Sequence, residues 1–377
     1  MKILVSAGEA SGDRYAAELV AALRKRLPDA DFFGCGGQHL RKEGLRTVIR
    51  TEDLAVVGLF EVVLHIPRIY RRFRQLVAAI RVEKPQLAIL TDAPDFHLRL
   101  AKKLHTLKIP VTYYVAPQVW AWRKGRLKTM RRLIDHLLVI FPFEQEFFSS
   151  HRVSATFVGH PLADHVKVST ERDSFFRQHG LDSNKRLIAL LPGSRRGEAM
   201  RHLPALKDAV SRLSSQLDVQ FILPASVTTG KAFFEENWSG QRITIVEGET
   251  QDAVGHADLA LVASGTATVE TALLGTPMVT FYRLSWPSYW LAKMLVDAPF
   301  YSMVNLLAGR AVIPELIQQD CNGKKLAAEA TRLLQQESER CRMVEALAEI
   351  KEKLRAGVPA AERAAEVICE QYSLQTA

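Results

Sequence analysis

Cysteine is scarce in this chain, and the few cysteines are not placed as metal ligands. The sequence has no CxxC pair and no Cys/His spacing typical of a zinc site; its four cysteines are Cys35, Cys321, Cys341 and Cys369. We interpret them as reduced thiols in a reducing cytoplasm. No apolar run approaches the ~20 residues of a membrane span, and the N-terminus lacks the apolar segment and cleavage site of a signal peptide. These absences predict a cytoplasmic protein that is soluble or peripherally bound.

Several binding signatures are missing as well. Without GxxxxGK[ST] a P-loop ATPase is disfavoured, and without GxGxxG after the first strand so is a dinucleotide site. No acidic D-x-D metal motif is present, and we expect no metal or other cofactor. The formal net charge of +9 favours a polyanionic or phosphorylated partner. However, the lack of helix-turn-helix, zinc or RNA-recognition signatures argues against nucleic acid.

Short apolar strands alternate with helices along the chain, whose 377 residues are enough for about two domains. Such alternation is typical of a doubly wound parallel sheet. It continues to about Gly159, passes through a polar connector and restarts near Leu187. We therefore predict an α/β protein with two Rossmann-like domains facing a cleft, over 1–165 and 185–350, and a helical segment over 351–377. Ligands are expected at the carboxyl ends of the strands.

Two turns of the predicted second domain are suited to phosphate. The first lies in the strand–turn–helix–strand stretch 258–283, where a helix N-terminus offers free N–H groups and a positive dipole end. The second, 191–198, follows a strand and carries arginines that can bind phosphate oxygens through paired hydrogen bonds. The candidate residues are Gly193, Ser194, Arg195, Ser264, Gly265, Thr266 and Ala267, with Glu270 within reach of a ribose. An ordinary capped turn and a solvated basic loop are the alternatives.

Carboxylates follow two predicted strands of the first domain. Asp92 stands directly at the end of one strand, Asp95 comes just after it, and Glu9 follows the first strand. A carboxylate at such a position can deprotonate an acceptor hydroxyl. Asp92 is our first candidate for a catalytic base, with Glu9 and Asp95 next; helix capping or loop hydrogen bonding is the alternative for each.

An apolar run, 54–66, precedes an arginine-rich segment, 68–83, which we predict to be a helix that begins after a break at Pro67. Apolar residues beside arginines can dock on an anionic lipid surface. The predicted docking residues are Phe60, Val63, Leu64, Ile66, Arg68, Arg71, Arg72 and Arg74. A core strand followed by a solvated basic helix is the alternative.

Eight segments, in this order, resemble the lipid-A-disaccharide synthase family of inverting glycosyltransferases. They are GEASGD (8–13), LAVVGLFEV (54–62), TDAPDF (91–96), APQVWAWRKGR (116–126), FVGHPLAD (157–164), LPGSRRGE (191–198), ASGTATVETAL (263–273) and NLLAGR (305–310). They are distributed from residue 8 to residue 310, and the resemblance covers essentially the whole chain. One departure is Arg196, which stands where the family usually has a small residue.

The resemblance implies a GT-B fold whose C-terminal helices return to an N-terminal domain, in a homodimer that swaps this segment between chains. The implied reaction transfers 2,3-diacylglucosamine from UDP-2,3-diacylglucosamine to 2,3-diacylglucosamine 1-phosphate, giving a β-1,6-linked disaccharide 1-phosphate and UDP. Asp92 matches the family's essential aspartate, Glu9 matches another acid needed for activity, and Asn305 faces the donor. The enzyme would work at the anionic surface of the inner membrane, because both substrates carry acyl chains.

Three other functions fit parts of the sequence. A UDP-N-acetylglucosamine 2-epimerase, or another glycosyltransferase of this architecture, would use the same turns without acyl-chain dependence. A nucleic-acid-binding protein would explain the charge and show steep salt dependence. A sensor of UDP-sugars would not need the carboxylates Glu9, Asp92 and Asp95, and all three are present. We therefore favour the enzyme.

Overall fold

The structure, a computed structural model, describes residues 1–54, 59–121, 124–286, 289–290, 293 and 299–374, without the side chains of residues 59–66 and 124. Its strands form two parallel sheets. The strands of the first sheet are β1 Lys2–Ala7, β2 Asp31–Gly36, β3 Arg46–Arg50, β4 Leu87–Thr91, β5 Val111–Tyr114, β6 His136–Val139 and β7 Ala155–Phe157. Those of the second are β8 Arg186–Leu191, β9 Val219–Ala225, β10 Thr244–Glu247, β11 Leu259–Ala263, β12 Met278–Tyr282 and β13 Glu315–Ile317.

Helices connect the strands. In the described residues they are α1 Ala10–Arg26, α2 Gln38–Lys42, α3 Leu59–Glu83, α4 Pro94–Thr106, α5 Leu127–Leu133, α6 Pro142–Ser150, α7 Leu162–His165, α8 Arg172–His179, α9 Arg196–Gln216, α10 Lys231–Asn237, α11 Thr250–Gly255, α12 Thr266–Leu274, α13 Met303–Ala308, α14 Gly323–Gln335, α15 Glu337–Lys353 and α16 Ala360–Gln371. None of them is long and apolar enough to cross a membrane.

Both sheets have the strand order of doubly wound folds. The first runs β3-β2-β1-β4-β5-β6-β7 and the second β10-β9-β8-β11-β12-β13. The strands β4 and β5 are buried along their whole length, as expected where helices cover both faces of a parallel sheet. In the first sheet, β2 and β3 lie on one side of β1, and the chain then crosses to the other side, where β4 pairs with β1. In the second sheet, β8 and β11 are related in the same way. The predicted α/β class with two such sheets is confirmed.

The chain divides into two compact units. The first consists of Met1–Asp164 together with Leu354–Ala377, and the second of His165–Lys353. The C-terminal helix α16 packs on α1, where Glu362 accepts hydrogen bonds from Lys25 at 2.8 Å and Arg26 at 2.5 Å. At the start of α16 the backbone N–H of Ala360 donates to Asp164 at 2.8 Å. The last helix of the chain therefore completes the first unit.

The predicted break at Pro67 is wrong. Helix α3 runs without interruption from Leu59 to Glu83, with Pro67 inside it, so a core strand over 59–66 is also excluded. A proline inside a helix removes one hydrogen bond and costs about 3 kcal/mol. Burial of Leu76, Val77 and Ile80, on later turns of the helix, offsets that cost.

Candidate active site

In each unit the predicted site residues follow the two strands at which the strand order reverses. In the first unit, residues 8–13 follow β1 and Asp92 follows β4, and these strands are hydrogen-bonded neighbours. In the second unit, residues 192–196 follow β8 and residues 264–267 follow β11, which are also neighbours. Ligands of doubly wound sheets bind at such reversals. Each unit therefore brings together two segments that are far apart in sequence.

The carboxylate of Asp92 rests on the backbone that follows β1. Its Oδ1 accepts a hydrogen bond from the N–H of Gly8 at 2.8 Å, and its Oδ2 accepts one from the N–H of Glu9 at 3.1 Å. The contact requires glycine nearby, since a Cβ built on Gly12 would lie 1.5 Å from Oδ2 of Asp92. The GEASGD segment is thus shaped around this carboxylate.

Burial raises the pKa of Asp92 to about 8, from an ordinary value of 3.8. The two backbone N–H groups oppose this shift, because they stabilise the carboxylate, whereas the charges of Glu9 and Asp13 add to it. A base with a pKa near the working pH combines a useful ionised fraction with a strong pull on a proton. Asp92 has this property.

The turn that carries Asp92 is strained. Asp92 has φ of 55° and Ala93 has φ of 37°, so two consecutive residues without the freedom of glycine adopt the left-handed region. Each costs about 1–2 kcal/mol relative to the ordinary helical region. The sharp turn ends β4 and starts α4, which leaves the Asp92 side chain at the sheet edge. Such strain is concentrated at functional sites.

Asp92 and Glu9 line a common pocket of about 380 Å³ in the first unit. Its wall also includes Arg126 and residues 115–119, which follow β5. Asp95 is not one of the lining residues; it forms an ion pair with Arg126, and its side chain is 74% exposed. The structure thus brings two of the three candidate acids together in one pocket, whereas the third pairs with an arginine and is not part of the lining.

Asp13, the last residue of the GEASGD segment, has a structural function. It is 2% exposed and accepts hydrogen bonds from the backbone N–H groups of Gly37, His39 and Leu40 at 2.5, 2.8 and 3.4 Å. These groups belong to the start of α2, whose N–H groups have no partner within the helix. One segment therefore holds the Asp92 carboxylate and anchors the second helix.

In the second unit, the two arginines of the turn after β8 have different surroundings. Arg196 donates to the carbonyl of Thr229 at 3.4 Å, and its guanidinium lies 5.5 Å from the ring centre of Phe233. Both arginines are exposed, and Arg195 stands at the N-cap of α9. Gly193 has φ of 114°, which favours glycine. The surroundings therefore favour Arg195 over Arg196 as the residue available to an anion.

The turn after β11 leads into α12, whose first residue is Thr266. Thr266 is exposed and Ala267 half-buried, so the first turn of the helix is accessible at the sheet edge. Ser264 donates through its Oγ to the carbonyl of Tyr301 at 3.2 Å, which ties the turn to residues before α13. Glu270 lies one turn into the helix and is half-buried.

Asn305 uses its side chain within the protein. It is 1% exposed. Its Nδ2 donates to the carbonyl of Ile313 at 2.9 Å and to Glu315 at 2.8 Å, and its Oδ1 accepts from the N–H groups of Val312 and Ile313 at 2.7 and 3.0 Å. These bonds occupy all four positions of an amide. In this structure Asn305 stabilises its loop, and the geometry gives no support to its predicted contact with the donor.

Residues 3–369 match the family of lipid-A-disaccharide synthetases. The lipid-A-disaccharide synthase of Solibacter usitatus is 58% identical over 98% of this chain and 97% of its own length. The chain belongs to the lipid-A-disaccharide synthase family. The synthase of Myxococcus xanthus is 43% identical, over 98% of this chain and 97% of its own. The protein is therefore a glycosyltransferase of lipid A biosynthesis that forms the lipid A disaccharide.

Solved structures of other glycosyltransferases and epimerases have the same fold as this synthase. The glycotransferase of kitacinnamycin has a TM-score of 0.66 at 14% identity, covering 98% of each chain. A UDP-GlcNAc 2-epimerase of Methanocaldococcus jannaschii, solved with UDP-GlcNAc and UDP, has a TM-score of 0.64 at 14% identity, covering 98% of this chain and 100% of that one. The GT-B fold predicted for the synthase is confirmed by this likeness.

The predicted lipid-docking residues of the synthase lie on α3. The side chains of Phe60, Val63, Leu64 and Ile66 lie outside the described residues. Arg68 and Arg72 pair with Asp53 at 2.6 and 3.0 Å. Arg71 and Arg74 are exposed on the same helix, beside Tyr70, which is 61% exposed.

In the part of the chain that the structure describes, no cluster of histidine, cysteine and acidic side chains could hold a metal ion.

Proposed function

We propose that this synthase transfers 2,3-diacylglucosamine from UDP-2,3-diacylglucosamine to 2,3-diacylglucosamine 1-phosphate. The products are the β-1,6-linked disaccharide 1-phosphate and UDP. The proposal rests above all on Asp92, a carboxylate with a pKa of about 8 that lines a pocket at the strand-order reversal of the first unit. It is further supported by the two anion-suited turns at the corresponding edge of the second unit.

The proposed chemistry is a direct displacement. Asp92 takes the proton of the acceptor 6-hydroxyl while that oxygen attacks the anomeric carbon, and the bond from this carbon to the UDP oxygen breaks. Attack from the face opposite UDP inverts the configuration and requires no covalent enzyme intermediate. Glu9, exposed at the same pocket, is proposed to accept hydrogen bonds from the acceptor sugar.

The departing diphosphate gains negative charge as this bond breaks. We propose that Arg195, the hydroxyl of Ser194 and the first N–H groups of α12 stabilise it. The turn residues Gly193, Gly265, Thr266 and Ala267 bring the backbone close to the phosphates, and Glu270 binds the ribose. These cations and N–H groups belong to the protein, so the proposed reaction uses no metal or other cofactor.

The reaction is tested by incubating the enzyme with both acylated sugars in detergent micelles and identifying the products by mass spectrometry. We expect the disaccharide 1-phosphate and UDP in equal amounts. The 2-epimerase alternative is tested in parallel with UDP-N-acetylglucosamine alone. Formation of UDP-N-acetylmannosamine, without disaccharide from the acylated pair, would replace the proposed reaction by epimerisation.

Arg195→Ala is expected to weaken UDP binding by about 10–100-fold, the cost of losing charge-assisted hydrogen bonds. Arg196→Ala is its matched control, because the neighbouring arginine packs on Phe233 and Thr229. We expect less than about threefold loss of UDP affinity from that change, since no phosphate bond is removed. Isothermal titration calorimetry with UDP measures both variants. Equal losses, or a larger loss for Arg196→Ala, would reassign the phosphate contact.

We further propose that α3 docks on the anionic inner-membrane surface. The double reversal Arg71→Glu/Arg74→Glu is expected to lower binding to vesicles containing phosphatidylglycerol by about 30-fold or more, at ~1 kcal/mol per charge. Arg72 is left unchanged because its reversal would place like charges next to Asp53. The control is Arg131→Glu/Arg132→Glu, which reverses two exposed arginines of α5. Equal vesicle binding by the two double variants would refute docking through α3.

A homodimer that exchanges the C-terminal segment stays a prediction. It is tested by the molar mass in solution, measured by light scattering, and by crosslinking of α16 to α1 in mixtures of tagged and untagged chains.

A further inference from the structure

The main-chain carbonyl of Asp92 is held by two side chains that sequence reasoning did not identify. The hydroxyl of Tyr113, on β5, donates to it, and so does Nδ1 of His97, on α4, at 2.8 Å. Both side chains are fully buried. The carbonyl that receives these bonds belongs to a residue in the left-handed region. The two donors therefore act at the strained turn itself.

The orientation of His97 is fixed at both ring nitrogens. Its Nε2 lies 2.8 Å from Oγ of Ser6, and burial lowers the pKa of His97 to about 4, so the ring is neutral at neutral pH. A carbonyl can only accept, so Nδ1 carries the hydrogen and Nε2 accepts from Ser6. The ring also packs edge-on against Phe96 and Tyr113, with centroid distances of 5.3 and 6.2 Å. His97 is thus a rigid donor at a fixed position.

We propose that Tyr113 and His97 are positioning residues, which fix the strained backbone of Asp92 so that its carboxylate stays on the N–H groups of Gly8 and Glu9. The inference rests on the proposed role of Asp92 as the base. Neither side chain touches the substrate in this proposal. If the Asp92 carbonyl loses a hydrogen-bond donor, the turn can relax. The carboxylate then moves away from the position in which it faces the acceptor sugar. A shift of about 1 Å in a reacting group can cost about 100-fold in rate.

The chain offers a matched control for Tyr113. Tyr114, the next residue of β5, is also fully buried, and its hydroxyl has no hydrogen-bond partner among the described residues. Tyr113→Phe and Tyr114→Phe therefore remove the same atom from adjacent buried rings. Only the first change removes a bond to Asp92.

The experiment measures kcat and KM for both substrates, with the melting temperature of each variant. Tyr113→Phe is expected to lower kcat about 10–100-fold while both KM values stay within about threefold, because substrate contacts are kept. Tyr114→Phe is expected to keep kcat within about twofold.

His97→Leu removes the second hydrogen-bond donor to the Asp92 carbonyl. This variant is expected to lower kcat about as much as Tyr113→Phe does. His97→Asn, whose Nδ2 can replace Nδ1 as donor, is expected to recover most of it.

Asp92→Asn is measured in the same series. This variant distinguishes a failure of the positioning role from a failure of the base role proposed for Asp92. If Asp92→Asn is inactive but Tyr113→Phe turns over as fast as Tyr114→Phe, the positioning role is wrong and the base stands. If Tyr113→Phe changes only KM, or His97→Asn recovers nothing relative to His97→Leu, the positioning role is likewise refuted. If Asp92→Asn keeps wild-type kcat, the base assignment itself is wrong, whatever the tyrosine variants do.

Discussion

Asp92→Asn is expected to lower disaccharide formation by about 10²–10⁴-fold, the contribution typical of a general base. An amide has nearly the shape of the carboxylate but cannot take the proton of the 6-hydroxyl. Affinity for UDP should be unchanged, because Asp92 lies in the first unit and the proposed phosphate contacts lie in the second. Product formation and UDP titration test the two statements on one preparation.

Asp95→Asn distinguishes the two neighbouring acids. Asp95 pairs with Arg126 and is not one of the pocket-lining residues, so its loss should affect kcat much less than the loss of Asp92. The reverse order of effects, with a folded protein in both cases, would transfer the base role to Asp95.

The raised pKa of Asp92 also predicts two pH dependences. The base must be ionised, so kcat of the wild type should rise with pH to a midpoint near 8, the pKa of the folded state. The contribution of Asp92 to stability should change in the opposite direction. The folded pKa lies above the unfolded value of ~3.9, so this contribution is greatest below pH ~4 and declines up to about pH 8, because the carboxyl of the unfolded chain ionises first. Asp92→Asn removes this decline, so the margin between its melting temperature and that of the wild type should shift in favour of the variant between these pH values. A constant margin would contradict the raised pKa.

Gly12→Ala should lower the rate of disaccharide formation nearly as much as Asp92→Asn does, although it removes no chemical group. The new Cβ would lie 1.5 Å from Oδ2 of Asp92, and a contact that short forces the carboxylate off the N–H groups of Gly8 and Glu9. We expect about a 100-fold loss of kcat from this displacement. Ser11→Ala, at an exposed position of the same turn, controls for changes at the start of α1 and should be close to wild type.

A double variant tests the mechanism of that loss. If Gly12→Ala acts only through the Asp92 carboxylate, it should add little to the effect of Asp92→Asn on activity, because the base is already absent. Multiplicative losses in the double variant would show that Gly12 affects the reaction by another route.

The buried parts of the fold were the most predictable from sequence. Apolar strands such as β4 and β11 stood out because both faces are covered by helices. The strands β3, β7 and β13 are short edge strands with partly exposed residues, so their apolar signal in the sequence is weak. The break expected at Pro67 failed because tertiary burial of the following turns outweighed the local penalty.

The candidate site could be predicted where the type of a residue and its place after a strand indicated its role. Asp92 could be placed because it directly follows an apolar strand. The arginines of 191–198 and the helix N-terminus within 258–283 indicated turns suited to phosphate. The left-handed backbone at Asp92 and Ala93 gave no such signal, since neither residue is glycine. The roles of Tyr113 and His97 could not be predicted from the sequence for another reason. Their hydrogen bonds to the Asp92 carbonyl depend on the pairing of β4 with β5 and on the first turns of α4.

The return of α16 to α1 makes the second unit an insertion within the first. The chain enters that unit at His165 and leaves it at Lys353, so residues 165–353 are one continuous cassette, whereas the remainder is split into two pieces. A fragment ending at Asp164 would lack the helix that carries the buried residues Ala365 and Ile368, together with the carboxylate that pairs with Lys25 and Arg26. In chimaeras between homologues, residues 1–164 and 354–374 should therefore be inherited together, while the cassette between them is the segment that can be exchanged.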